Sequence, residues 1–464
     1  MKLSLRRTIG WFVFAVVLIT AVSQCSPIHS FNDFVDINII FTVGKSLWKG
    51  KLVYRDLFEH KGPLMYFITA ISYLFSHTTF IGVWLFEILA AFIFMVYADR
   101  ILKLLNPDHK GYFLPVIFYL IYHAPSFVSG TAEEFCLPLL TYGLYIGILA
   151  LKEERCPSFR ESFFVGITSG IMFWIKYNMV GFYIGLLVTF VVISIRKKQM
   201  KDLVRSALGV LCGLCAISLP ILIFFGINGA LDDLFHVYFY DNINGYANRL
   251  DFLYQGYYAL TGTINTIRRN PIGWGLILIG LLELILQKQN RSVLFLVCST
   301  AFFLAWFIYC GGMQFAYYSF ILLMYAIFAG SVEPHLSWKY AGVIPAVIAA
   351  GILVFSFPYQ RLSVRPDVTT TSQYQITSVI EDPEASILTY NSFDQGFYTV
   401  RDFSPSVFHF CMTNCVLDES RDAQKQYIDE GEVDYILSEE ELSWAEHYTL
   451  ISEQSGWFVY HLYK

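Results

Sequence analysis

The chain has 464 residues, 56% of them hydrophobic and only 15% charged, with 42 Phe and 31 Tyr and a mean hydropathy of +0.51. Such a composition excludes a soluble enzyme and marks an all-α polytopic membrane protein. A net charge of −5 gives no reason to expect nucleic acid as a partner, and the nine cysteines show no CxxC pair or finger spacing that would support a metal or redox reading.

The chain opens with Lys2, Arg6 and Arg7 before an apolar run. No convincing cleavage site follows, so the segment reads as an uncleaved anchor. Apolar stretches near the length of a span, about 20 residues, follow in order: 8–25, 81–103, 111–127, 134–151, 161–176, 179–195, 203–227, 271–287, 292–310, 315–332 and 338–357. That is about eleven transmembrane helices by the span-length criterion. The apolar stretch 63–77 is too short to cross and reads as a helix partly sunken at the surface.

The basic residues set the expected orientation. With a cytoplasmic amino terminus and a non-crossing 63–77, the inside loops hold Arg100, Lys103, Lys110, Lys152, Arg155, Arg160, Arg196, Lys197, Lys198, Lys201, Lys288, Arg291 and Lys339, while the short outside connections 128–133 and 311–314 hold no Lys or Arg. A crossing 63–77 would invert this pattern. The consequence is that loop 26–80, loop 128–133, loop 228–270 and the tail after 357 share the exterior face. Residues 1–357 form the expected transmembrane domain, and 358–464 form a small exterior α/β domain. In that tail SILTYN (386–391) and VDYILS (433–438) read as strands, SRDAQKQYIDEG (420–431) as a helix ending at Gly431, and YTLIS and WFVYHLY as two closing strands. Cys411 and Cys415 could form a disulfide if exported.

The segment 33–67 is dense in charge between apolar runs, and charge is too costly to lie in hydrocarbon. Its carboxylates Asp33, Asp36, Asp56 and Glu59 and its cations Lys45 and Lys61 could supply a general base beside a phosphate clamp; a solvated loop with ordinary charges is the alternative. Four further exterior segments carry unusual polar groups. GTAEE places Glu133 and Glu134 at the mouth of a helix, where capping charge is the plainer explanation. Lys176 lies at an exterior helix end, where snorkelling would account for it. FHVYFYDNINGYANR holds His236, Tyr240, Asp241, Asn242, Tyr246 and Arg249. GGMQFAYYSF offers Gln314, Tyr317 and Tyr318, which an interfacial aromatic belt would also explain. Together they suit a lipid-linked phosphate donor whose tail stays in the bilayer.

The layout resembles the C-type-fold membrane glycosyltransferases that use polyprenyl-phosphate sugars, the aminoarabinose transferases and the protein O-mannosyltransferases of family 39. In that family an acidic residue follows the first span and a motif like YxEKxP closes the first exterior loop. Here Asp36 follows the first span, and YRDLFEHKGPL carries Glu59, Lys61 and Pro63 in matching places. His60 departs from the pattern. A Gly-Gly-x-x-x-x-Tyr run at 311–317 is also similar. The likeness covers residues 1–330 in layout, with firm motif matching only in 33–67.

The resemblance implies a role for each matched residue. Asp36 would be the base; Lys61, Lys176 and Tyr317 would hold the donor phosphate. Asp56, Glu133, Glu134 and Asp241 would shape the sugar or acceptor site. Glu59 and His236 would hold a divalent metal, or Glu59 would order its loop. The expected reaction is inverting transfer of a sugar from a polyprenyl-phosphate donor to an envelope glycan, lipid or protein at the exterior face of the cell membrane. A transporter or flippase of lipid-linked sugars is the competing reading, although charges inside the spans, such as Glu87 and Glu283, are few and no repeated halves are visible. An envelope polysaccharide polymerase or ligase would differ only in its acceptor.

Overall fold

The computed structural model describes residues 3–29, 31–123, 128–246, 251–287, 290–335 and 367–463. Its contacts divide the chain into two compact units. The first comprises Met1–Ser23, Phe86–Ile221 and Leu250–Tyr359, and the second Gln24–Leu85, Leu222–Arg249 and Gln360–Lys464.

The first unit is helical. Among the described residues six helical stretches are long and apolar enough to cross a bilayer: Leu5–Val22, Ile81–Leu105, Ala132–Lys152, Phe159–Lys197, Met200–Ile227 and Arg291–Tyr309. The pair Phe252–Arg269 and Pro271–Leu286, bent by 107°, would add a seventh. We name the helices α1 (Leu5–Val22), α2 (Val35–Ser46), α3 (Pro63–Tyr73), α4 (Ile81–Leu105), α5 (Leu114–Tyr122), α6 (Ala132–Lys152), α7 (Phe159–Lys176), α8 (Gly181–Lys197) and α9 (Met200–Ile227). The chain is therefore a polytopic membrane protein, but not all eleven expected spans take that form. Helix α5 ends after nine residues, a rise of about 14 Å against the ~30 Å hydrocarbon core. Stretch 315–332 is a 3₁₀ helix, Ala316–His335, and 338–357 lies outside the described residues. Between α7 and α8 the backbone of Lys176 turns extended (φ −159°, ψ 93°). Tyr183 of α8 then donates to Thr168 Oγ1 of α7 at 3.2 Å, so the chain doubles back within Phe159–Lys197.

Small residues let these helices approach closely, as they must where lipid tails compete equally for apolar side chains. A Cβ on Gly166 of α7 would fall 2.1 Å from Val210 O, and one on Gly213 of α9 would fall 2.0 Å from Phe163 O. Opposite faces stay apolar and open: Val204, Leu208, Leu211 and Leu219 of α9 are all more than half exposed, as lipid-facing positions should be. Near its start α1 is tied to α4 by charge. Asp99 is fully buried and accepts from Arg7 Nε at 2.5 Å, Arg7 Nη2 at 2.6 Å and Trp11 Nε1 at 2.8 Å.

The second unit gathers the charge-dense segment with the tail. Helices α2 and α3 are short, 12 and 11 residues, and α3 is the expected non-spanning helix of about 16 Å. They pack at Gly44, where a Cβ would meet Thr69 Oγ1 at 2.1 Å, Tyr66 O at 2.8 Å and Ala70 N at 2.9 Å. The tail forms a four-stranded sheet of order β1-β2-β4-β3, with β1 Ile387–Tyr390, β2 Tyr435–Ser438, β3 Tyr448–Gln454 and β4 Trp457–Leu462. β1 and β2 are parallel, joined through helix α10 (Leu417–Asp429) as a parallel pair requires. β4 runs antiparallel to both neighbours. Gly431, with φ +66°, ends the helical segment where the sequence suggested. Cys411 and Cys415 are both buried and free, so the disulfide considered above is absent.

The α2–α3 contact has no room for a side chain, and two of the atoms that block it are backbone. Gly44→Val should therefore lower stability by about 1–3 kcal/mol, read as a fall in the thermal midpoint of detergent-solubilised protein; an unchanged midpoint would show that the helices can separate freely.

Candidate active site

In the second unit, α2 sets the first group. Asn32 shapes the turn that leads into the helix by accepting from Phe34 N at 3.0 Å, and its carbonyl accepts from Asn38 Nδ2 at 2.9 Å. Asp36 then falls in the first turn, where exposed backbone N–H groups favour an anion. After α2 the chain turns at Gly50 (φ +79°) and is pinched by a bridge between Val53 and Leu57. That turn returns Glu59 and Lys61 to Asp36. Lys61 Nζ lies 3.1 Å from Glu59 Oε1 and 3.4 Å from Asp36 Oδ1.

Glu59 is fully buried. It accepts from Lys61 N at 3.0 Å, from Lys61 Nζ and from the Tyr66 hydroxyl, and His60 Nδ1 lies 3.4 Å away. Burial alone would raise its pKa, but Lys61, His60 and the Tyr66 hydrogen bond overcome that and bring it down to about 2. Lys61 mirrors this: burial disfavours its ammonium, and the carboxylates of Asp36 and Glu59 outweigh the burial and raise its pKa. The cluster thus holds two carboxylates around one lasting cation. Loop geometry is kept by Tyr54, which donates to Lys61 O at 2.5 Å, and by Asn242, which donates to His60 O at 2.6 Å.

The other residues of this unit sit in separate pairs. Asp56 binds Arg55 at 2.8 Å and accepts from Leu52 N at 2.7 Å, with its pKa lowered chiefly by the Arg55 hydrogen bond; it closes the loop. Asp241 is 3.5 Å from His236 Nε2, burial raising its pKa, and His236 stacks on Tyr240 with centroids 5.0 Å apart. Among the described residues no group of three or more His, Cys, Asp or Glu side chains is placed to hold a metal ion. Glu59 and His236 alone do not make a donor set.

In the first unit, the break at Lys176 turns its side chain to α6. Lys176 Nζ lies 2.6 Å from Glu133 Oε1, 3.8 Å from the centre of the Tyr318 ring and 5.4 Å from that of Tyr317. Glu133, Lys176 and Tyr317 are thus together. Glu134 turns the other way: its Oε1 accepts from Ser129 N and Thr131 N, both at 2.9 Å, completing a capping box with Thr131. Two groups central to the site were not singled out from the sequence: Tyr54 and Tyr66. Both are aromatic residues in an aromatic-rich chain, and only the return of the loop gives them their carbonyl and carboxylate partners.

Residues 60–224 match the family described as dolichyl-phosphate-mannose-protein mannosyltransferase, a stretch that contains Lys61, Glu133, Glu134 and Lys176. Curated protein sequences yield no match to the chain. Among solved structures the chain is similar to ArnT from Cupriavidus metallidurans bound to undecaprenyl phosphate, at a TM-score of 0.66 and 13% identity over 98% of each chain. It is similar also to ArnT from the same organism in the apo state, at 0.63 and 12% over 97% of each. The chain therefore has the C-type glycosyltransferase fold.

The charge state of Glu59 links stability to pH. With a folded pKa near 2 against an ordinary 4.5, its contribution is complete above pH 4.5 and fades as pH falls toward 2. Glu59→Gln should therefore flatten the fall in thermal midpoint between pH 5 and pH 3; an unaltered slope would mean that Glu59 is not held ionised.

Proposed function

We propose that the chain is a membrane glycosyltransferase that moves a sugar from a polyprenyl-phosphate donor to an acceptor of the cell envelope. The observation that carries this reading is the Asp36–Lys61–Glu59 cluster, on the segment that carries the resemblance, in a chain with the C-type fold. A transporter site gains no comparable support, because this cluster lies on a loop and a short helix and not in a broken span.

In the reaction Asp36 accepts the proton of the acceptor hydroxyl while that oxygen attacks the anomeric carbon. The bond from that carbon to the phosphate oxygen breaks, and the polyprenyl phosphate leaves with the bonding pair. A single displacement inverts the anomeric configuration. Charge develops toward an oxocarbenium ion on the sugar and toward a dianion on the phosphate, which fixed cations stabilise. Lys61 suits that task because its neighbours keep it protonated. The resemblance gives Lys176 and Tyr317 a phosphate-binding role as well, and Glu133, Glu134, Asp56 and Asp241 a role toward sugar or acceptor. A divalent metal at Glu59 and His236 rests on the resemblance alone, and no step here is routed through it.

The orientation belongs to the same proposal: amino terminus in the cytoplasm, loop 26–80 and tail 358–464 outside. The support is the distribution of Lys and Arg. An impermeant thiol reagent applied to intact cells should spare a cysteine placed at Lys198 in a background without other reactive thiols; labelling there would reverse the topology.

The direct test incubates purified protein with radiolabelled polyprenyl-phosphate sugars and crude cell-envelope acceptors. Asp36→Asn keeps the shape but cannot take a proton, so turnover should fall by about 10²–10⁴-fold with donor affinity little changed. Lys61→Ala should weaken donor binding, and Lys61→Arg should recover part of it. A folded Asp36→Asn protein with full transfer activity would remove Asp36 from the role of base.

A further inference from the structure

Helix α2 carries Asp36 in its first turn and Lys45 in its last, nine residues or about 13 Å along the axis. Lys45 is completely buried, which is rare for lysine, and none of its contacts belongs to the cluster described above. Its Nζ donates to Tyr398 O at 2.7 Å and to Asp402 Oδ1 at 3.1 Å, both in the tail. Asp402 adopts a left-handed backbone (φ +57°) and also accepts from Tyr73 of α3 at 2.9 Å. One turn before Lys45, Thr42 donates to Asp394 Oδ2 at 2.8 Å, and Asp394 is fully buried. Gly396 (φ +102°) lies so close to α2 that a Cβ there would be 2.8 Å from Asn38 Oδ1.

The tail segment that receives these bonds is itself anchored. The Tyr398 hydroxyl donates to Ile387 O of β1 at 2.7 Å and to Phe410 O at 3.1 Å, and Thr389 N of β1 donates to Phe410 O at 2.9 Å. The same segment grips the returning loop: Phe58 N, next to Glu59, donates to Phe408 O at 2.9 Å, and Lys51 donates to Pro405 O. Both arms of the Asp36–Lys61–Glu59 cluster therefore lean on residues 394–410.

We propose that Lys45 is a positioning residue, which locks α2 to the sheet-anchored segment 394–410 so that Asp36 stays within reach of Lys61. The inference rests on the proposed transferase reading, and it gives the tail a part in the chemical step beyond covering the exterior surface. Burial draws the Lys45 pKa down to about 8, with Asp402 and Asp394 opposing and Lys49 adding to the fall, so the lock keeps its charge at neutral pH.

Lys45→Met preserves the length of the side chain and deletes the charge, and Thr42→Val is a milder cut of the neighbouring bond. In the transfer assay Lys45→Met should lower kcat by about ten- to a hundredfold, the cost of misplacing reacting groups by around an ångström, with the donor KM little changed. Thr42→Val should lower kcat in the same direction by less. Hydrogen–deuterium exchange on the same proteins needs no activity: amides of 36–46 and 58–61 should exchange faster while those of β2 keep their protection. Unchanged kcat with unchanged exchange in α2 would overturn the proposal, as would an equal loss of protection in β2, which signals mere destabilisation. If the wild-type protein transfers no sugar, the functional reading falls and the exchange pattern alone decides the lock.

Discussion

Buried lysines are the constraint on which the second unit depends. Taking an ammonium out of water costs several kcal/mol unless a carboxylate and further acceptors replace the lost hydration. Lys45 and Lys61 both meet this demand, in different ways. Lys45 finds a tail carboxylate and a tail carbonyl, and so can be buried only if residues 394–402 are in place. Lys61 finds Asp36 and Glu59, and so can stay charged only if the loop after α2 returns. Lys61 therefore closes a local loop, whereas Lys45 ties segments far apart in the chain. The unit joins 24–85, 222–249 and 360–464 where sequence order would keep them apart.

The two clusters share a plan. In each, a glutamate that is almost wholly buried holds a lysine that keeps about a fifth of its side chain exposed: Glu59 with Lys61 and Glu133 with Lys176. A buried carboxylate behind a partly open ammonium holds the cation charged and in one place. Such a cation is oriented before any anion reaches it. The aromatic neighbours differ in use. Tyr66 gives a hydrogen to Glu59, whereas Tyr318 presents its ring face to Lys176, so one tyrosine fixes the carboxylate and the other the cation.

Helix packing in the first unit follows from the lipid solvent. Apolar side chains gain little by leaving lipid for protein, so contacts concentrate where backbones can touch, as at Gly166 and Gly213. Charge supplies the remaining ties. Asp99 binds Arg7 and Trp11, joining α1 to α4 where neither helix offers a glycine contact to the other.

Composition and charge spacing by themselves determined the membrane class, a helix within 63–77 too short to span and the positions of the four strands of the tail, because each depends on local length, periodicity or turn residues. They also determined that Asp36, Glu59 and Lys61 belong to one segment. The number of spans was not legible in this way, since apolar length alone does not register the early end of α5 or the 3₁₀ winding of Ala316–His335, although the break near Lys176 was, as 161–176 and 179–195 read as separate stretches. Tertiary structure alone decided which charges are committed and to what. Glu133 and Glu134 are adjacent and alike in sequence, yet one faces a lysine and the other its own helix cap. Lys45 and Lys61 read as equivalent cations on a loop, yet one is sealed against the tail and the other is left at the site. The physical reason is that a charge in low dielectric takes its role from the partner that replaces its water, whether that partner is as near in the chain as Glu59 is to Lys61 or as distant as Asp402 is from Lys45.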